Sequence, residues 1–186
     1  MKKNLPNPLK GEPNITNSPF RGLGGNSVTT LDIVTHISAP AERVFDLSRS
    51  IDLHLISTRH TNEKAIAGRK SGLIELGESV TWQAKHFGIT QKLTSKITEF
   101  DYPNHFTDEM VEGAFQAFRH EHIFKSFGPN QMLMMDIFAY EVPYGIAGYA
   151  FSRIILARYM THLLVKRNDV IRQIAEGDEW KKILGE

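Results

Sequence analysis

The sequence contains no cysteine, which excludes a disulfide framework, thiol nucleophiles and zinc–thiolate centres and fits a reducing compartment. It also lacks an excess of charge of one sign. Lys and Arg number 22 against 21 Asp and Glu, a formal net charge of +1. With no electrostatic footprint for a polyanion, no nucleic acid is expected as a partner. Long apolar runs are missing too, because charges interrupt each of them, and no stable membrane insertion is expected. Lys2 and Lys3 are followed by Asn4, Pro6, Asn7, Pro8, Gly11 and Pro13 rather than by the apolar stretch of a secretory signal. The expected location is therefore the cytoplasm. Gly22-Leu23-Gly24-Gly25 does not lie between a strand and a helix, as a nucleotide-binding turn would, and the serines lack a nucleophile-elbow context.

What is present is an average globular composition, 41% hydrophobic and 23% charged over 186 residues. That is one domain, long enough to bury a core without covalent staples. Residues 1–26 are rich in Pro, Gly and Asn and poor in large apolar side chains. They have too little apolar area to offset the entropy of ordering, and a flexible N-terminal arm is expected, with Phe20 and Leu23 able to tack its end to the domain at 27–186.

Alternation over 28–38 predicts a strand with Leu31, Ile33 and Ile37 on one face. Ala39-Pro40-Ala41-Glu42 then opens a short helix, with Pro in the first turn and an acid at its positive end. Residues 51–56 continue as a second short helix, and 67–77, punctuated by Gly68, Gly72 and Gly77, read as turn and short edge structure. Strands follow at 78–86, 89–100, 105–111, 117–127 and 131–142, joined by short turns. Such spacing makes an antiparallel meander, since parallel pairs need long crossovers. From about 147 to 175 the period becomes helical. Leu156, Met160, Leu163, Val170 and Ile174 form one stripe, and Arg158, Thr161, His162, Asn168, Asp169 and Arg172 the opposite face. A helix of that length, roughly 40 Å, can cross a whole sheet. The expected class is α+β: a curved antiparallel sheet wrapped around a long C-terminal helix, with two short helices after the first strand.

Ile37-Ser38-Ala39-Pro40-Ala41-Glu42-Arg43-Val44-Phe45-Asp46 resembles the junction of first strand and first helix in the START-like, or SRPBCC, superfamily of helix-grip proteins, which includes polyketide cyclases. The segments 80–88, 118–124 and 136–148, the last with Pro143 and Gly145, are similar to a subgroup of ligand-binding or uncharacterised members. The resemblance spans 27 to the end of the long helix. It implies a cavity between sheet and helix for an apolar or amphipathic small molecule and leaves open which molecule, and whether it reacts.

Strand parity nominates the groups facing such a cavity. In the fourth strand of the meander Phe118, His120, His122 and Phe124 share a face; in the fifth, Met134, Asp136, Phe138 and Tyr140 do, although Met132, Leu133, Met134 and Met135 are apolar on both parities. Trp82 lies with Val80, Ala84 and His86, and Asp108 with Phe106 and Met110. The candidate ligand-binding set is thus Trp82, Asp108, Phe118, His120, His122, Met134, Asp136, Phe138 and Tyr140, with Leu163 and Arg167 from the helix. Arg167 falls within the apolar stripe. It meets either a ligand anion, an internal partner (Asp108 or Asp136), or the solvent at the cup's rim.

Asp136, His120 and His122 are the candidate catalytic groups, as acid or base in a cyclase or dehydratase. The plainer reading is that they are hydrogen-bonded core residues. His120-Glu121-His122 lacks the helical spacing of hydrolytic zinc motifs, so no metal is expected, and no cofactor. The leading expectation is a noncatalytic binding protein for a lipid, isoprenoid or polyketide-like compound. An enzyme using the same pocket is the second, and a protein-interaction module built on the helix the third. The oligomeric state is left open.

Overall fold

The computed structural model describes residues 28–143 and 150–185. The expected arm at 1–26 lies outside the described residues. So does the expected helix start at 147.

Thr29–Ile37 forms β1, and the chain then turns through α1 (Ala41–Ser48) and α2 (Ile51–Ser57). The Ser50 side chain accepts a hydrogen bond from the Leu53 amide and so starts α2. A short 3-10 turn, Arg59–Thr61, leads into β2 (Lys64–Gly68). The meander follows as β3 (Ser79–His86), β4 (Ile89–Asp101), β5 (His105–Glu112), β6 (Ala117–Gly128) and β7 (Gln131–Glu141). All seven strands make one antiparallel sheet in the order β1-β7-β6-β5-β4-β3-β2. The first strand therefore pairs with the last, and the remaining strands lie in chain order. The edge structure expected at 67–77 begins earlier, at Lys64, and is a paired strand.

The sheet bends where its ladders slip. Register shifts fall between Thr94 and Ser95, between Ile97 and Glu99 in β4, and between Ala65 and Ala67 in β2. An extra residue on one strand increases local twist and curls the sheet toward its covered face. A single helical run lies across the concave side. It opens with a π-turn at Ser152–Leu156 and continues as α3 (Ala157–Glu176), followed by the short α4 (Trp180–Leu184). The Ser152 carbonyl accepts the Ala157 amide across the wider turn and also Tyr140 Oη at 3.3 Å, while Ser152 Oγ meets Thr29 Oγ1 at 2.9 Å. No described helix is long and apolar enough to cross a membrane.

The buried stripe of α3 differs from the expected one. Leu164, Arg167, Asn168, Ile171, Ile174 and Ala175 are buried, whereas Met160, Leu163 and Val170 are only half-buried. Asn168, expected on the polar face, is enclosed, because its amide has partners inside: Thr35 Oγ1 at 3.2 Å and Asp136 Oδ2 at 2.7 Å. The helix thus turns a polar pair toward β7 and keeps part of its apolar surface for the cavity.

Two apolar clusters result. One lies beneath α1, where the Phe45 ring meets Phe100, Tyr102, Phe106 and Phe124 edge-on or tilted. The other lies beneath the start of α3 and holds Leu31, Phe118, Phe138, Tyr140, Leu156 and Leu164. β6 crosses both, with Phe118 in one, Phe124 in the other, and His120 and His122 on the same face between them.

Gly68 ends β2 at φ 71°, and a Cβ there would sit 2.1 Å from the Ser79 carbonyl oxygen. Gly72 has the same φ with nothing within 4 Å. Gly68→Ala is expected to destabilise by about 1–3 kcal/mol, and by more than Gly72→Ala, which meets only the torsional cost. Urea unfolding of the two variants side by side checks the order.

Candidate functional site

Between the curved sheet and α3 lies a cavity of about 590 Å³. Trp82, Phe106, Phe115, Phe118, Phe138 and Leu164 give it an aromatic and aliphatic wall. Its polar groups gather in two places. Asp108, His120, His122 and Arg167 form one; His54, Glu63, His86 and Tyr159 form the other.

The first group is organised by Asp136, which lies directly behind it and is 0% exposed. Antiparallel register sets His122 opposite Asp136 and His120 opposite Asp108, so the four side chains meet on one face of β5, β6 and β7. Asp136 Oδ1 is 3.1 Å from His120 Nε2, 2.8 Å from His122 Nδ1 and 3.5 Å from Arg167 Nη1. The His122 contact is short but off the line that a hydrogen bond needs. Asp136 Oδ2 accepts from Asn168, and Arg167 Nη2 donates to the Ser48 carbonyl at 2.9 Å, tying α3 to the end of α1. The opposite ring atoms turn toward the cavity. His122 Nε2 is 3.2 Å and His120 Nδ1 3.7 Å from Asp108 Oδ1, with the ring centres 3.9 Å apart.

This arrangement shifts the titration of its two carboxyls and two imidazoles. Burial favours a neutral Asp136, but the His120 hydrogen bond, the close His122 contact and the charge of both imidazoles outweigh it and hold the carboxyl well below its usual range. Burial works against the Asp108 anion as well. There the His122 hydrogen bond and the charges of His120, His122 and Arg167 prevail and lower its pKa. His120 is pushed down, by burial first and by its neighbour His122 second. His122 goes up despite burial, because Asp108 and Asp136 both stabilise its charged form.

At the second group, His54 stacks on Trp82 with ring centres 4.1 Å apart and contacts Glu63 Oε2 at 3.2 Å. Burial opposes the Glu63 charge, but the charge and hydrogen bond of His54, with the Thr58 hydroxyl, leave its pKa lowered. His86 Nδ1 and Tyr159 Oη lie 2.8 Å apart across the sheet–helix gap.

Of the residues expected at the site, Trp82, Asp108, Phe118, His120, His122, Phe138, Leu163 and Arg167 line the cavity. Met134, Asp136 and Tyr140 do not. They face inward as parity requires, but other elements cover them. Met134 accepts from Ser48 Oγ at 3.4 Å, Tyr140 reaches Ser152, and the partners already described enclose Asp136. Arg167 is the internal partner of Asp136 and also reaches the cavity. His54, Glu63 and Tyr159 had no signal in the one-dimensional pattern, since they come from a helix, a turn and a half-buried helical position. The expectation of no metal meets a finding of its own: Asp108, His120 and His122 offer ligand atoms all within 4.8 Å of one another.

No family model matches the chain. No characterised protein matches it by sequence either. Solved structures do. The Zhui aromatase/cyclase from Streptomyces sp. R1128 superposes with a TM-score of 0.65 at 11% identity, over 80% of this chain and 94% of that one. A START superfamily protein from Mycobacterium smegmatis gives 0.61 at 13%, over 78% and 98%. Norcoclaurine synthase from Thalictrum flavum, in complex with dopamine and hydroxybenzaldehyde, gives 0.60 at 13%, over 88% and 96%. The chain has the START-like helix-grip fold. At these identities the likeness is one of START-like architecture, and the side chains of the cavity are this protein's own.

Two outcomes follow from the charges. Arg167→Met removes one cationic partner of an enclosed carboxylate. It is expected to cost about 3 kcal/mol, near the lower end for a broken buried pair because His120, His122 and Asn168 remain; a lowered urea midpoint with an unchanged slope reports it. A carboxylate with a lowered folded-state pKa stabilises above its unfolded value and loses that contribution as pH falls through the folded one. The Glu63 contribution is therefore complete above its ordinary value of 4.5 and declines below it. Thermal melts from neutral pH into that acid range should fall less steeply for Glu63→Gln than for the wild type.

Proposed function

We propose that this protein binds an apolar or amphipathic small molecule in the cavity between sheet and helix, with the molecule's polar end against Asp108, His120, His122 and Arg167. The cavity carries this reading. At about 590 Å³ it falls within the roughly 300–1,000 Å³ usual for small-molecule sites, and it combines apolar walls with a few convergent polar groups. The aromatic wall suits flat rings or isoprenoid chains. Supporting it, the norcoclaurine synthase of like fold was solved with two small aromatic molecules. Carriage without chemistry is the leading form of this proposal.

A cyclase or dehydratase is the second form, favoured by one observation: two imidazoles and a carboxylate stand on the cavity wall itself. A positioned imidazole is the commonest proton-transfer group. The Asp136 carboxylate is enclosed, and a base acting on a ligand would instead come from the groups at the wall.

Ala84 is buried on the cavity wall, and Ala84→Trp fills space from β3, with β4 between it and the strand that carries Asp108. An anilinonaphthalene sulfonate probe is expected to bind the wild type saturably at one site, and the variant at least tenfold more weakly while its melting temperature stays within a few degrees. Equal affinity in the two proteins would remove the cavity as the site. Mass spectrometry of the bound compound, before and after incubation, separates the two forms of the proposal. An unchanged ligand supports carriage, and a cyclised or dehydrated product that disappears in His120→Gln supports the enzyme.

A further inference from the structure

The hydrogen positions of the two imidazoles are constrained from behind. His122 Nδ1 lies 2.8 Å, and His120 Nε2 3.1 Å, from the same oxygen of an enclosed Asp136. His120 Nε2 donates to that oxygen and so carries hydrogen, whereas His122 Nδ1 is off line and the hydrogen bond of His122 runs from Nε2 to Asp108 Oδ1. His120 Nδ1 thus presents its lone pair 3.7 Å from Asp108 Oδ1, and His122 Nε2, 3.2 Å from the same oxygen, presents one once its proton is displaced. Three electron-pair donors thus converge at one corner of the cavity wall. A single hydrogen on His122 Nε2 bridges to Asp108, and a cation would displace it.

We propose that this corner is a site for one divalent transition-metal ion, held by His120 Nδ1, His122 Nε2 and an Asp108 oxygen, with its open position facing the cavity. Donor separations of 3.2 and 3.7 Å bracket the roughly 3.3–3.5 Å edge of a tetrahedron built on bonds of about 2.0–2.1 Å. Two neutral imidazoles with one carboxylate are the donor set of zinc and of non-haem ferrous sites, and a poor set for magnesium or calcium, which want oxygen. Asp136 stands where an outer carboxylate belongs, fixing the tautomer of His120 by a hydrogen bond and touching His122 Nδ1 from the far side. Arg167 and Asn168 stabilise that carboxylate in turn.

Charge also defines what fills the open position. Asp108 and Asp136 bring two negative charges, Arg167 one positive, and a divalent ion two more. One positive charge is left over in an apolar cavity. An anionic oxygen on the bound molecule, such as a carboxylate or enolate, would balance it. That last step rests on the cavity-binding reading; the metal corner does not.

The test starts from full-length protein treated with a chelator and freed of it by gel filtration. Zinc is titrated calorimetrically, and cobalt(II) by visible absorption, with no apolar compound present. One equivalent of each should bind, with the strong cobalt bands of a four-coordinate nitrogen–oxygen site. Asp108→Asn should weaken zinc by at least the roughly 10–100-fold that loss of an outer-shell partner costs. His36→Gln/His162→Gln, which removes two exposed imidazoles, should leave the stoichiometry at one. Failure of the wild type to bind either ion overturns the proposal, whatever Asp108→Asn does. So does equal binding by Asp108→Asn, or loss of the equivalent in the double variant. Probe binding to the chelated protein decides the cavity reading independently, so the two can fail separately.

Discussion

A carboxylate shut away from water must be surrounded by donors, and Asp136 obtains them from both layers of the fold. His120 and His122 come from the neighbouring strand and Arg167 and Asn168 from the long helix, while Arg167 reaches on to the carbonyl that ends α1. Burying that anion without these partners would cost several kcal/mol. The requirement sets the rotation of α3, because only one helical phase brings residues 167 and 168 to β7 together. It also sets the histidines, whose rear nitrogens are engaged and whose front nitrogens are thereby turned to the cavity.

The polar cluster sits at the seam between two apolar clusters, and that position explains why the concave side is not filled solid. Aromatic side chains from α1, β4, β5 and β6 close one end, and those of β6, β7 and the start of α3 close the other. Between them the inward positions of β5 and β6 are an acid and two imidazoles, which cannot interdigitate as hydrocarbons do. Space remains there, walled by rings and floored by titratable groups. Binding an amphipathic molecule is a natural use of such a site. A cation at its polar corner would be compatible with that use.

The likeness to an aromatase/cyclase, a START superfamily protein and norcoclaurine synthase is one of architecture. A curved sheet gripping one helix leaves room between them whatever the side chains, and the chemistry is decided by which residues line that room. In this chain the distinctive feature is paired carboxylates on either side of paired imidazoles, one carboxylate enclosed and one on the wall.

Much of the molecule was legible in one dimension. The switch from period two to period 3.6, the turns at hairpin spacing and the Pro40–Glu42 helix start are local signals, and they dictated the α+β order and the inward face of each strand. Parity placed Phe118, His120, His122 and Phe124 together before any register was known, since alternation is a property of the strand alone. The phase of a helix with polar residues on both sides is not such a property. Asn168 looked like a surface residue because nothing near it in sequence shows Asp136 and Thr35 waiting across the gap. For the same reason Met134 and Tyr140 could be seen to face inward but not to be covered, and the Glu63–His54–Trp82 contact, drawn from three unrelated segments, left no pattern. Local periodicity comes from backbone geometry and is written into neighbours along the chain. Which buried groups meet, and where space is left over, depends on long-range register and on the pairing of buried charge, and only the folded structure decides those.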